Sequence, residues 1–89
     1  MSYTSPEMLE ATYNEIEAML PDGWGIDMRS ECISITWPDK DPIESAQRSM
    51  ILNKIIQEVS NGLHEDVIGD MSKLEMLIEA RLKEVQKAS

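Results

Sequence analysis

A chain of 89 residues and 10.1 kDa has the length of one domain. Size scaling gives a folded surface near ~5,300 Å² against ~14,600 Å² unfolded, which allows a thin core. Seventeen acids against eight bases set the formal charge at −9. That balance disfavours unaided nucleic-acid binding, whose affinity comes mainly from lysine and arginine on phosphates, and attachment to anionic membranes. A single cysteine excludes an internal disulfide, and a single histidine excludes the usual multi-histidine metal sites.

The first element begins at Ser5-Pro6-Glu7. Serine is a good N-cap, proline suits the first helical position, and an acid favours the positive helix end. Leu9, Tyr13, Ile16 and Leu20 then recur at four, three and four residues, so a helix with one apolar stripe is expected over 5–20. Pro21-Asp22-Gly23 stops it.

A β-hairpin is expected over 24–37. Trp24, Ile26 and Met28 alternate with small or polar residues, and Ile33, Ile35 and Trp37 do the same. Arg29-Ser30-Glu31 makes the reversal, and Cys32 falls on the face opposite the large side chains. A lone hairpin is marginal in water, so its apolar face must pack on helices, with both tryptophans closing the core.

Asp41-Pro42 with Glu44 has the pattern of a capping box and opens a second helix over 42–60, ended by Asn61-Gly62. A third helix is expected over 63–87. Val67, Met71, Leu74, Ile78, Leu82 and Val85 carry the cleanest amphipathic spacing in the chain, and Leu63 extends that face backward. Gly69 weakens its first turns, so a start as late as Asp70 is the alternative. The expected class is α+β, helix-dominated, a small single domain ordered α–β-hairpin–α–α.

Helix two is irregular. Ile43, Ala46 and Met50 cluster on one side and Leu52, Ile55, Ile56 and Val59 nearly opposite, with Ile51 between. Either both faces are covered within the domain, or one docks on another subunit. Ile51, Leu52, Ile55, Ile56 and Val59 are therefore candidate oligomer contacts, as is Met76, which projects away from the helix-three stripe. Of the seven methionines, Met8, Met19, Met50 and Met71 lie near the proposed core stripes and read as filler.

Catalytic patterns are poor. Cys32, His64 and Asp66 are the residue types of a thiol nucleophile, its base and an orienter, but no local motif joins them. His64-Glu65-Asp66 offers metal-ligand atoms that diverge around a helix, and reads better as a solvated helix start. Asp39-Lys40-Asp41 lacks the glycine of a calcium loop, and no phosphate loop, nucleophile elbow or dinucleotide fingerprint is present. A non-enzymatic protein without cofactor or metal is expected, soluble and cytoplasmic, with no secretory signal or membrane span.

Charge distribution carries the functional hint. Residues 1–28 contain Glu7, Glu10, Glu15, Glu17, Asp22 and Asp27 without a lysine or arginine, six of the nine net negative charges. Glu7, Glu10, Asn14 and Glu17 line the polar side of helix one. Glu58, Glu65, Asp66 and Asp70 sit in a second basic-free stretch at the elbow before helix three. These eight residues are the candidate partner-binding set, and they suit a basic protein surface through steering and complementary potential. Helix one places three charges over about 15 Å, where duplex DNA would carry roughly nine, so any DNA mimicry is partial.

In size, acidity and lack of catalytic motif the chain is similar to small inhibitors, including phage-encoded anti-defence proteins and nuclease-immunity proteins. That likeness is one of composition and transfers no residue. It implies inhibition or sequestration of a basic, nucleic-acid-handling protein. The rival readings are a homo-oligomeric small-ligand binder, for which Arg48, Lys54 and Arg81 would serve an anionic ligand, and a structural assembly adaptor.

Overall fold

The computed structural model describes residues 5–29 and 32–88. The order is α1 (Pro6–Met19), β1 (Gly25–Arg29), β2 (Cys32–Thr36), α2 (Pro42–Ser60) and α3 (Met71–Ala88). This is the helix-dominated α+β arrangement anticipated from the sequence.

The expected caps form. Ser5 Oγ accepts from the Met8 amide at 3.2 Å, and Asp41 Oδ1 accepts from the Glu44 amide at 2.8 Å. The capping box is only half made, because the Glu44 carboxylate turns to Arg48 instead of back to the cap. At the end of α2, Gly62 has φ +91°, its amide donates to Val59 O, and the Leu63 amide donates to Glu58 O. That bond pair is a Schellman closure, and glycine adopts its left-handed backbone without strain.

β1 and β2 pair antiparallel, Gly25 opposite Thr36 and Arg29 opposite Cys32. Of the expected reversal, Ser30 and Glu31 lie outside the described residues. Ile33, Ile35 and Trp37 are buried, while Ile26, Met28 and Trp24 are half-buried. The two indoles meet edge to face at 6.0 Å. Cys32 is exposed on the other face, as its place in the alternation requires.

The core joins Leu9 and Ile16 of α1, the inner residues of β2, Leu52, Ile55 and Ile56 of α2, and Leu74 and Ile78 of α3. Thr12 is buried too, since it stands between Leu9 and Ile16 on the same stripe. Two expected filler residues are not core: Met50 is 72% exposed and Met8 38%.

The expectation of a helix from Leu63 is corrected. Residues 64–69 form turns, His64 holds a left-handed φ of +53°, and Leu63 is exposed. Ile68, outside the 3.6-residue pattern, is the buried side chain of this segment. Asp70 then opens α3, its Oδ1 accepting from the amides of Ser72 and Lys73. A carboxylate cap placed after Gly69 begins the helix more favourably than continuation through that glycine. At the far end Val85, expected on the stripe, is exposed.

Helix two's irregularity resolves into three faces. Leu52, Ile55 and Ile56 are buried in the chain's own core, and Ile51 and Val59 pack partly against it. Leu52, Ile55 and Ile56 are therefore unavailable as oligomer contacts, contrary to expectation. Ile43, Ala46 and Met50 form the opposite, exposed face. Between them Ser49 and Asn53 lie along β2. Asn53 Oδ1 accepts from the Ile33 amide at 2.9 Å while its Nδ2 donates to Ile33 O at 2.9 Å, and Ser49 Oγ accepts from the Ile35 amide. Two helix side chains thus take the place of a third strand on that edge.

Candidate functional site

Eight exposed or half-exposed positions carry the expected partner-binding surface, and the structure divides them. Along α1, Glu7, Glu10, Asn14 and Glu17 are all exposed, because the buried stripe of Leu9, Thr12 and Ile16 occupies the other side. Glu15 is exposed as well. Among the described residues, none of the four α1 glutamates is in an ion pair or a side-chain hydrogen bond. Their charge faces solvent uncompensated.

The elbow acids behave differently. Glu58 is held by Arg81 through two bonds of 2.5 and 2.8 Å and by the His64 ring at 2.7 Å. Bonding to the Arg81 guanidinium, then to His64, holds its carboxyl down at about 2, from an ordinary 4.5. The same contact raises Arg81. Glu58 therefore ties the end of α2 to α3 and to the turn, and offers little free charge to a partner. Asp66 faces Lys73 at 3.7 Å, and Asp70 is the cap of α3. Glu65 alone of the elbow acids is exposed with neither an ion pair nor a side-chain hydrogen bond among the described residues. The expected solvated helix start at His64-Glu65-Asp66 is instead a turn anchored through its histidine.

The Glu58 cluster predicts a pH dependence. Its folded-state pKa lies below the unfolded value, so its contribution to stability is complete above about pH 4.5 and is lost as pH falls toward 2. Thermal unfolding of the Glu58→Gln variant should sit below the wild type at pH 7, and the gap should narrow steadily between pH 5 and pH 2. A gap independent of pH would mean that the carboxylate's charge is irrelevant there.

The cations that an anionic ligand would need are occupied. Arg48 is 2% exposed; its Nε donates to Glu44 Oε2 at 3.1 Å, a second nitrogen donates to Glu79 Oε1, and the guanidinium lies 5.7 Å from the Trp37 ring centroid. Arg81 belongs to Glu58, leaving Lys54 as the exposed member of the three. Nothing in the sequence pattern placed Arg48 inside, although Glu44 four residues earlier on α2 is a signal for the pair.

Some of the exposed apolar side chains border shallow grooves. Ala46 and Met50 border a shallow groove beside Cys32 and Ser34, and Met76, 72% exposed, borders another with Pro21 and Met71. Among the described residues no cluster of three metal-ligating side chains exists, and no helix is long and apolar enough to cross a membrane. No protein-family model, curated protein or solved structure matches the chain.

Proposed function

We propose that this protein binds, and thereby inhibits or sequesters, a basic protein of the nucleic-acid-handling kind, with the acidic face of α1 as its contact surface. The observation that carries the reading is the concentration of exposed acids without an ion pair on a single helix. Glu44, Glu58, Asp66 and Glu79 have cationic partners, whereas Glu7, Glu10, Glu15 and Glu17 have none among the described residues.

Helix energetics support it. Glu17 stands in the last turn of α1, where the helix end is already negative and no basic residue is present. An acid there costs about 0.3–1 kcal/mol. Departures from local stability rules concentrate at functional positions. The protein works here by binding, in an anti-defence or immunity-type role, and the sparse charge along one helix makes any resemblance to DNA partial. The occupied state of Arg48 and Arg81 weighs against the small anionic ligand.

Capture of a partner followed by association kinetics tests this. Replacing Glu7, Glu10 and Glu17 together by glutamine should slow association several-fold at low salt and flatten its salt dependence, since exposed charges act mainly on the encounter. Stability should change little, the loss at Glu7 in the first turn offsetting the gain at Glu17. Unchanged association by a folded triple variant would refute the α1 surface.

A further inference from the structure

We propose that the outer edge of β1 pairs with the same edge of a second copy of this chain, antiparallel and centred on Met28, giving a four-stranded sheet across a two-fold axis. This goes beyond the α1 reading and uses none of its residues.

The hydrogen-bond pattern exposes the edge. Ile33 turns its amide and carbonyl to Asn53, so it faces away from β1, and its opposite number Met28 must face away from β2. The same holds for Ile35, whose amide reaches Ser49, and its opposite number Ile26. The sheet has only these two strands among the described residues. The backbone groups of Ile26 and Met28 therefore point outward with no described partner. One side of the hairpin is closed by helix side chains and the other is left open. An open edge is a template for an added strand.

Side chains choose the occupant. On the solvent face of β1, Asp27 and Arg29 are 61% and 82% exposed and bond each other at 2.9 Å. An exposed pair of this kind contributes little, so it re-pairs readily. Centring an antiparallel pair on Met28 sets Asp27 of each copy directly opposite Arg29 of the other, two cross-strand ion pairs made by a self-complementary sequence. Centring on Asp27 would oppose like charges, and centring on Ile26 would set Asp27 against Gly25. On the inner face, Ile26 and Met28 are half-buried where Ile33 and Ile35 opposite them are buried, so the apolar layer runs unfinished to this edge. A two-fold neighbour continues it. Centred on Met28, the five-residue strands oppose each other over Asp27–Arg29, which is small beside a standard interface, and the dimer is accordingly weak and reversible.

The test is sedimentation velocity on the full chain over a micromolar-to-millimolar series, with residue-resolved amide exchange at both ends of it. The expected result is a concentration-dependent dimer in which the Met28 amide gains protection as concentration rises. Asp27→Arg, which sets arginines against each other, should weaken the dimer about tenfold. Adding Arg29→Asp to it restores the complementary pattern and should restore the affinity. A monomer throughout would overturn the proposal. So would a dimer indifferent to Asp27→Arg, or one that leaves the Met28 amide unprotected and is abolished by Met50→Glu, which would place the contact on α2.

Discussion

Replacing Asn53 by alanine is expected to destabilise the fold by about 2–4 kcal/mol, through the loss of hydrogen bonds to groups that cannot regain water. Asn53 accepts from the Ile33 amide and donates to the carbonyls of Ile33 and Ser49, at 2.7–2.9 Å. Ile33 is fully buried, so both of its backbone groups would be left in apolar surroundings. At this chain length each kcal/mol moves the melting midpoint by roughly 4–8 °C, and calorimetry will resolve the change easily. Asn53→Asp separates the two halves of the interaction. A carboxylate still accepts from the amide but faces two carbonyl oxygens, an arrangement that favours its protonated form and raises its folded-state pKa. The sign is then opposite to that at Glu58. Relative to wild type, Asn53→Asp should recover stability as pH falls from 7 toward 4, while Asn53→Ala should not. Equal behaviour of the two variants across that range would show that the amide's donor half is unimportant.

Removal of Arg48 should be comparably damaging. Its side chain is 3% exposed and lies between Glu44, Glu79 and the Trp37 ring, linking α2 to α3 over the end of the hairpin. Arg48→Ala empties packed volume, leaves Glu79 without its cation and leaves Glu44 with only Lys40 at 4.0 Å, a loss of about 3 kcal/mol. Arg48→Met keeps the apolar stem and should cost roughly half as much. Glu79 is 46% exposed, so Glu79→Gln alone should cost less than about 1 kcal/mol. The decisive comparison is the double variant. Arg48→Met should be less harmful in a Glu79→Gln background than alone, because the abandoned carboxylate is then neutral. Strict additivity in chemical denaturation would show that Arg48 acts by packing and not by charge.

Both residues show why part of this molecule was closed to a linear reading. Asn53 and Arg48 are polar letters inside α2, and each lies within a helical pattern whose apolar positions had to be assigned first. A polar residue is buried when something specific receives it, and the receiver here is far along the chain: Ile33 is twenty residues before Asn53, and Glu79 thirty-one after Arg48. The divided face of α2 was visible as an anomaly. Its cause, a helix lying against a strand edge, was not. The same limit misplaced Leu52, Ile55 and Ile56 at a subunit contact. The start of α3 failed for a local reason, since Leu63 and Val67 continue an apolar spacing through a segment whose backbone is set by Gly62, His64 and the Asp70 cap.

The sequence by itself determined the order of the elements and the caps of α1 and α2, because capping, proline placement and apolar period act within a few residues. Ser5-Pro6, Asp41-Pro42 and Asn61-Gly62 were each enough to locate a helix end. It also determined where charge accumulates, since net charge along a segment needs no fold. Which of those charges remain free was decided only in three dimensions. Glu58 and Glu7 are alike as letters. Folding brings Arg81 to the first across twenty-three residues and brings no described cation to the second. An acid's availability to a partner depends on the other charges the fold sets beside it, and that juxtaposition is a property of packing.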